Sequence, residues 1–117
     1  MISEEILPNS VIVHIDRFSI SKDLQLEALE EFKELCLSSG TSVCAEVSGK
    51  VDRPTPNFFI KQGKLDEINQ LVKTYKANLV IFNNDLTPSQ ERNLEKYLGT
   101  RVLAVSYTHL RAHETIL

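Results

Sequence analysis

The apolar positions of the chain follow two different periods, which predict strands alternating with helices. An unbroken apolar run at residues 79–82 is typical of a strand that is buried on both faces of a parallel sheet, and residues 11–15, which are apolar except for His14, indicate another strand. Residues 43–47 alternate between apolar and polar side chains, which indicates a strand at a sheet edge. Residues 101–104 begin a fourth strand.

Between these strands, apolar residues recur at helical spacing. Residues 22–38 and 65–75 each carry an apolar stripe and are predicted to be amphipathic helices. A third helix is predicted to follow Thr87, because Thr87, Pro88 and Gln90 supply an N-cap, the favoured N1 proline and the partner of a capping box. The end of this helix and its core-facing positions are also predicted: Gly99 as the left-handed cap, and Leu94, Tyr97 and Leu98 as the buried face.

The order of elements, βαβαβαβ, is typical of an α/β fold. Right-handed crossovers then predict a small three-layer domain with a four-stranded parallel sheet in the order 2-1-3-4 and helices on both faces. Ligands of such sheets bind at the carboxyl ends of the strands. Asp16, residues 49–64 and residues 83–85 are predicted to lie at that edge.

Composition and charge place the chain among ordinary globular proteins. Its 117 residues suit one domain, with 42% hydrophobic and 25% charged residues. The sequence has neither an apolar run long enough to cross a bilayer nor the pattern of a secretion signal, so a cytoplasmic location is expected. Cys36 and Cys44 lack metal-ligand spacing and are predicted to be buried thiols, and His14 to be a packed strand residue.

The net charge of -3 conceals a basic segment between residues 49 and 64. Its four cations could contact successive phosphates, and a glycine at a helix start could expose backbone N–H groups to an anion. A solvated basic loop explains the same residues equally well. The candidate residues are Lys50, Arg53, Lys61, Gly63 and Lys64.

A second polar cluster follows the third strand. Its residues suit hydrogen bonds to RNA or protein, but they are equally at home in a turn and on a helix surface; the candidates are Asn83, Asn84, Asp85 and Arg92, with Gln90 and Asn93 beside them. Asp16 and Asp85 could in principle hold Mg²⁺. Their interpretation as turn residues that end strands is favoured, so no metal site is predicted.

Motifs for nucleotide binding and catalysis are absent from the sequence. Gly63-Lys64 would need a glycine at position 58 and Ser or Thr at position 65 to form a P-loop, and Phe58 and Leu65 stand there instead. There is no G-x-G-x-x-G or G-x-S-x-G motif either. The chain by itself is therefore not expected to be an enzyme.

The last residues differ in character from the rest. Residues 105–115 resemble a translated sequencing adapter, so the domain is predicted to span residues 1–104, and residues 105–117 are interpreted as a non-native tail. His109 and His113 have the spacing of a metal pair on a helix, but the origin of the tail discounts them.

Four stretches together resemble the N-terminal domain of HflX-type GTPases, which are ribosome-associated GTP-binding proteins. They are VIVHI, PNFFIKQGKLDEI, LVIFNNDLTPSQERNLEK and RVL, and the resemblance covers about residues 9–103. The resemblance implies that GTP and Mg²⁺ bind only in a separate GTPase domain, a partner in cis, and that this chain needs no cofactor.

The resemblance further implies a docking and regulatory role on the large ribosomal subunit, with the basic segment as an rRNA contact. Two alternatives stay open. The chain could be a nucleotide-binding α/β module that uses the helix start at Gly63-Lys64, or a structural domain that restrains the GTPase domain.

Overall fold

A computed structural model describes residues 9–16 and 22–105. Within them, four strands alternate with three helices: β1 (Asn9–Asp16), α1 (Lys22–Ser38), β2 (Ser42–Lys50), α2 (Gln62–Tyr75), β3 (Leu79–Phe82), α3 (Pro88–Leu98) and β4 (Arg101–Ala104). All strand pairs are parallel, and the sheet order is β2-β1-β3-β4. The predicted fold class and strand order are confirmed.

The two faces of the sheet carry separate cores, because successive strand residues point to opposite sides. Val11, Val13 and Ile15 of β1 pack on the face that α2 and α3 cover. Ile12, between them, packs with α1 on the other face. In the described part of the chain the α1 side is the smaller core, made of Ile12, Leu29, Phe32, Cys36, Leu79 and Ile81.

The predicted caps of α3 are present. Thr87 Oγ1 accepts from Gln90 N at 3.1 Å, and Gln90 Oε1 accepts from Thr87 N at 2.9 Å, which completes the capping box. Gly99 ends the helix with φ 67°, a left-handed value that glycine adopts without strain.

Two predictions at the level of elements are wrong in detail. β2 continues to Lys50, because its ladder with β1 persists through the Asp16–Lys50 pair, and Val51 N then donates to Asp16 O at 2.9 Å. The irregular segment is therefore residues 51–61. Tyr97 is not a core residue, since it is 39% exposed.

The tail lies mostly outside the described residues, and with it His109 and His113. Val105 is described, and its N–H donates to Phe82 O at 2.8 Å, one residue beyond β4. Within residues 9–16 and 22–105, no helix is both long and apolar enough to span a bilayer.

Candidate functional site

A partly buried polar network lies at the carboxyl ends of β1 and β3. Asn83 Nδ2 lies 2.8 Å from His14 Nδ1, and His14 Nε2 lies 3.0 Å from Asp16 Oδ1. Because an amide NH₂ group can only donate, His14 Nδ1 accepts and Nε2 carries the proton that it donates to Asp16. His14 is 9% exposed, in agreement with its prediction as a packed residue.

Both polar atoms of the Asn84 side chain bond to the backbone of β1. Its Oδ1 accepts from Ile15 N at 3.2 Å, and its Nδ2 donates to Ile15 O at 2.7 Å. Ile15 lies beyond the last residue of β1 that pairs with β3, Val13. The side-chain amide of Asn84 therefore extends the β1–β3 ladder beyond Phe82.

Asp85 and Arg92 remain available. Both are exposed and have no side-chain hydrogen bond or ion pair to any described residue. Asp16 is partly buried and bonded to His14, so it lies in a different environment from Asp85. No group of three or more His, Cys, Asp or Glu residues that could hold a metal ion is present among the described residues.

The cations of the basic segment fall into two groups. Lys50 ends β2, Arg53 lies in residues 51–61, and Lys61 is the N-cap residue of α2. These three are exposed and form no ion pair with another described residue. Gly63 is exposed in the first turn of α2, as predicted for a residue near the helix start.

Lys64 differs from the other cations because its charge is used internally. Its Nζ donates to Ser48 O and to Glu67 Oε1, both at 2.9 Å. The side-chain stem passes over Gly49, where an added Cβ would come within 2.8 Å of Lys64 Cε. Lys64 thus connects the start of α2 to the end of β2.

Residues 51–61 have a defined backbone although they belong to no helix or strand. Thr55 and Phe59 form an isolated antiparallel bridge, with N···O distances of 3.2 and 3.0 Å. Phe59 has a left-handed φ of 71°, and its side chain and that of Ile60 are buried, which anchors the segment to the body of the domain. Gln90 Nε2 donates to Thr55 O at 2.8 Å and holds the segment against α3.

A contact between α2 and α3 was not foreseen from the sequence. Tyr97 Oη donates to Asp66 Oδ1 at 2.9 Å, and Gln62 Nε2 donates to both side chains at 3.0 and 2.8 Å. Phe58 meets the Tyr97 ring edge-to-face, with centroids 5.8 Å apart. The exposure of Tyr97 leaves its hydroxyl group at the surface, where it bonds to polar partners instead of entering the core.

Cys36 is buried, as predicted, whereas Cys44 is only partly buried, which corrects its prediction as a buried thiol. Burial raises the pKa of the Cys36 thiol to about 11 and also raises the pKa of Cys44. A raised pKa lowers the thiolate fraction, which is the nucleophilic form. Neither cysteine is bonded in a disulfide.

Comparison with known proteins relates this geometry to a family. The family model described as GTP-binding GTPase N-terminal matches residues 26–106. The chain belongs to this family of GTPase N-terminal domains. The match includes β2, residues 51–61, α2 and α3, so Lys50, Arg53 and Lys61 all lie in the family domain.

Relatives of this GTPase N-terminal domain carry the name GTPase HflX, and the predicted resemblance is confirmed. The protein from Escherichia coli (strain K12) is 37% identical over 94 residues, which cover 80% of this chain and 21% of the relative. The protein from Flavobacterium psychrophilum is 34% identical over 101 residues, covering 86% and 24%. That from Thermococcus kodakarensis is 44% identical over 73 residues, covering 62% and 16%. The domain therefore spans less than a quarter of these curated relatives.

Proposed function

We propose that this chain is a non-catalytic docking domain that helps to place a GTP-binding protein on the large ribosomal subunit in the cytoplasm. GTP and Mg²⁺ would bind in a GTPase domain outside this chain. The observation that carries the proposal is a set of three exposed cations, Lys50, Arg53 and Lys61, that have no ion-pair partner among the described residues. Cations of this kind can neutralise phosphates of rRNA.

The backbone that presents these cations is already ordered. The Thr55–Phe59 bridge, the buried side chains of Phe59 and Ile60 and the Gln90 hydrogen bond hold residues 51–61 against the body of the domain. A preformed segment loses less conformational entropy on binding than a flexible loop would lose. Lys64 is not included among the proposed rRNA contacts, because its ammonium group already donates hydrogen bonds to Ser48 O and Glu67 Oε1.

The proposal is tested by co-sedimentation of the chain with purified large ribosomal subunits over a series of salt concentrations. We expect the affinity to fall steeply with salt, and each of Lys50→Glu, Arg53→Glu and Lys61→Glu to weaken binding and to reduce the salt slope by about 1. Lys73→Glu is the matched control, because Lys73 is an exposed lysine in the last turn of α2, away from the segment. Equal binding by all four variants would refute the rRNA contact.

A second candidate role is favoured by an apolar groove on the α1 side of the sheet. Its volume is about 100 Å³, and it is lined by six residues of the predicted domain and by Val105, the first residue of the segment interpreted as a non-native tail; the six are Phe32, Leu35, Cys36, Ser39, Ile81 and Leu103. More than three quarters of each relative lies outside the matched region, so a GTPase domain in cis could pack here and be restrained. Leu103→Lys in the full-length protein would then change the GTPase rate without weakening ribosome binding.

The alternative that this chain binds a nucleotide is tested by calorimetry with GTP and the isolated chain. This alternative requires saturable binding of GTP.

A further inference from the structure

The outer edge of β2 presents backbone groups that no other strand of the described chain uses. β2 is nine residues long and, among the described strands, pairs only with β1. The hydrogen bond from Val51 N to Asp16 O, together with the register, shows that odd-numbered residues near the end of β2 direct their backbone groups to β1. Glu46, Ser48 and Lys50 therefore direct theirs outwards. Such an edge is a template for pairing with another strand.

One side chain from α2 covers this edge. Lys64 Nζ donates to Ser48 O, the central outward carbonyl group, and Glu67 holds the same ammonium group from the helix side. Gly49 makes room for the lysine stem, since a Cβ there would collide with Lys64 Cε. Lysine on an exposed edge is a known means of preventing strand pairing.

We propose that the β2 edge is a pairing surface for β2 of a second copy of this chain, and that Lys64 keeps it closed. Charge complementarity identifies the occupant. In an antiparallel pair with its twofold axis at Ser48, Glu46 of each copy lies opposite Lys50 of the other copy. Opposite charges at directly facing positions stabilise strand pairs. The Glu46 carboxylate is bonded to Lys33 at 2.7 Å, so in the pair it would lie between that lysine and Lys50 of the second copy.

Lys64 opposes this pairing in two ways. Its ammonium group occupies the Ser48 carbonyl oxygen, which would have to accept from the Ser48 N–H of the second copy. The twofold axis would also bring two Lys64 ammonium groups to the same place, where they repel each other. Removing the charge while keeping the stem should therefore release the edge.

The test compares Lys64→Met with the matched control Lys61→Met in the 117-residue chain, by size-exclusion chromatography with light scattering. We expect Lys64→Met to shift from the mass of one copy to that of two, and Lys61→Met to remain a monomer. Adding Lys50→Glu to Lys64→Met should restore the monomer, because Glu46 then faces a glutamate. Hydrogen exchange should slow at the amides of residues 46, 48 and 50 in the dimer only.

A folded Lys64→Met variant that stays monomeric overturns the proposal, as does association that survives Lys50→Glu or that Lys61→Met shows equally. Circular dichroism establishes whether Lys64→Met is folded. Should it unfold, Lys64→Ala decides, because it also removes the ammonium group that bonds to Ser48 O and would repel its counterpart at the twofold axis, and alanine is the most favourable residue in a helix. A folded Lys64→Ala variant that stays monomeric would overturn the proposal.

Discussion

Asn84 shows how one side chain can take the place of a strand residue. Its amide group supplies both the acceptor for Ile15 N and the donor for Ile15 O, which in a continued parallel ladder would come from the backbones of two different residues of β3. The bonds lie in a partly buried position, where a backbone group without a partner costs free energy. Asn84 is thus a part of the fold, although it was one of the residues predicted for external recognition.

We expect Asn84→Asp to lower the free energy of unfolding by about 1 to 3 kcal/mol, because Ile15 O loses its donor and faces a charged oxygen instead. Urea denaturation at neutral pH measures the change. Asp85→Asn is the matched control, since Asp85 is exposed and has no hydrogen bond to a described side chain, and it should leave the midpoint nearly unchanged. Equal midpoints for both variants would disprove the role of Asn84 in the ladder.

Cys36 should react slowly with thiol reagents in the folded protein. Burial raises its pKa from 9.0 to about 11, so the thiolate is a small fraction at mildly alkaline pH. The labelling rate should rise with pH until about pH 11, and unfolding in urea should accelerate it at constant pH. The raised pKa also means that folding favours the neutral thiol, so this contribution to stability is complete below pH 9 and is lost as pH rises towards 11. If Cys36 reacted as fast in the folded protein as in the unfolded protein, the predicted protection of its thiol would be wrong.

Single residues could be predicted from the sequence where their partners are close in the chain. Thr87, Gln90 and Gly99 act within one turn of helix, so their roles follow from local spacing. Lys64 and Tyr97 bond to groups that are 16 and 31 residues away, and residue type alone gives no sign of such partners. For this reason Lys64 was predicted as a phosphate contact and Tyr97 as a core residue.

At the scale of elements, α3 organises the irregular segment that precedes α2. Gln90 is 6% exposed and uses both ends of its amide group: Oε1 completes the capping box, and Nε2 reaches Thr55 O. Asn93 adds a bond from its Nδ2 to Asn57 O at 3.0 Å. The order of residues 51–61 therefore depends on the helix that follows β3. The hydrogen bonds from Gln90 and Asn93 to this segment could not be predicted from the sequence, because their partners lie 35 and 36 residues away in the chain.

Gln90→Glu should loosen this segment while preserving the helix start. The glutamate keeps an oxygen for Thr87 N but has no N–H for Thr55 O, and we expect a loss of about 1 to 3 kcal/mol in the free energy of unfolding. Hydrogen exchange should accelerate at Phe59 N more than in the middle of α3. Ser89→Ala, an exposed neighbour, is the control. Unchanged exchange at Phe59 would show that the packing of Phe59 and Ile60 holds the segment without Gln90.

At the scale of the whole molecule, the two cores are unequal. Among the described residues, sixteen buried apolar residues form the cluster on the α2 and α3 side, and six form the cluster on the α1 side. α1 also leaves Leu24, Leu26 and Leu37 about half exposed. Since helix stability in proteins comes mainly from the packing of a buried face, α1 is expected to be the weakest attached of the three helices.

Native-state hydrogen exchange should therefore show α1 opening at a lower free energy than α2 and α3. Ile68→Ala removes a fully buried side chain on the α2 side and should lower global stability by about 2 to 5 kcal/mol. Exchange in α2 and α3 should then accelerate strongly, while exchange in α1 changes little, because local opening of α1 does not disturb Ile68. Phe32→Ala should instead accelerate hydrogen exchange in α1, even though exchange in the rest of the domain is limited by global unfolding. If Ile68→Ala accelerated all three helices equally, the domain would open as one unit and the separate attachment of α1 would be wrong.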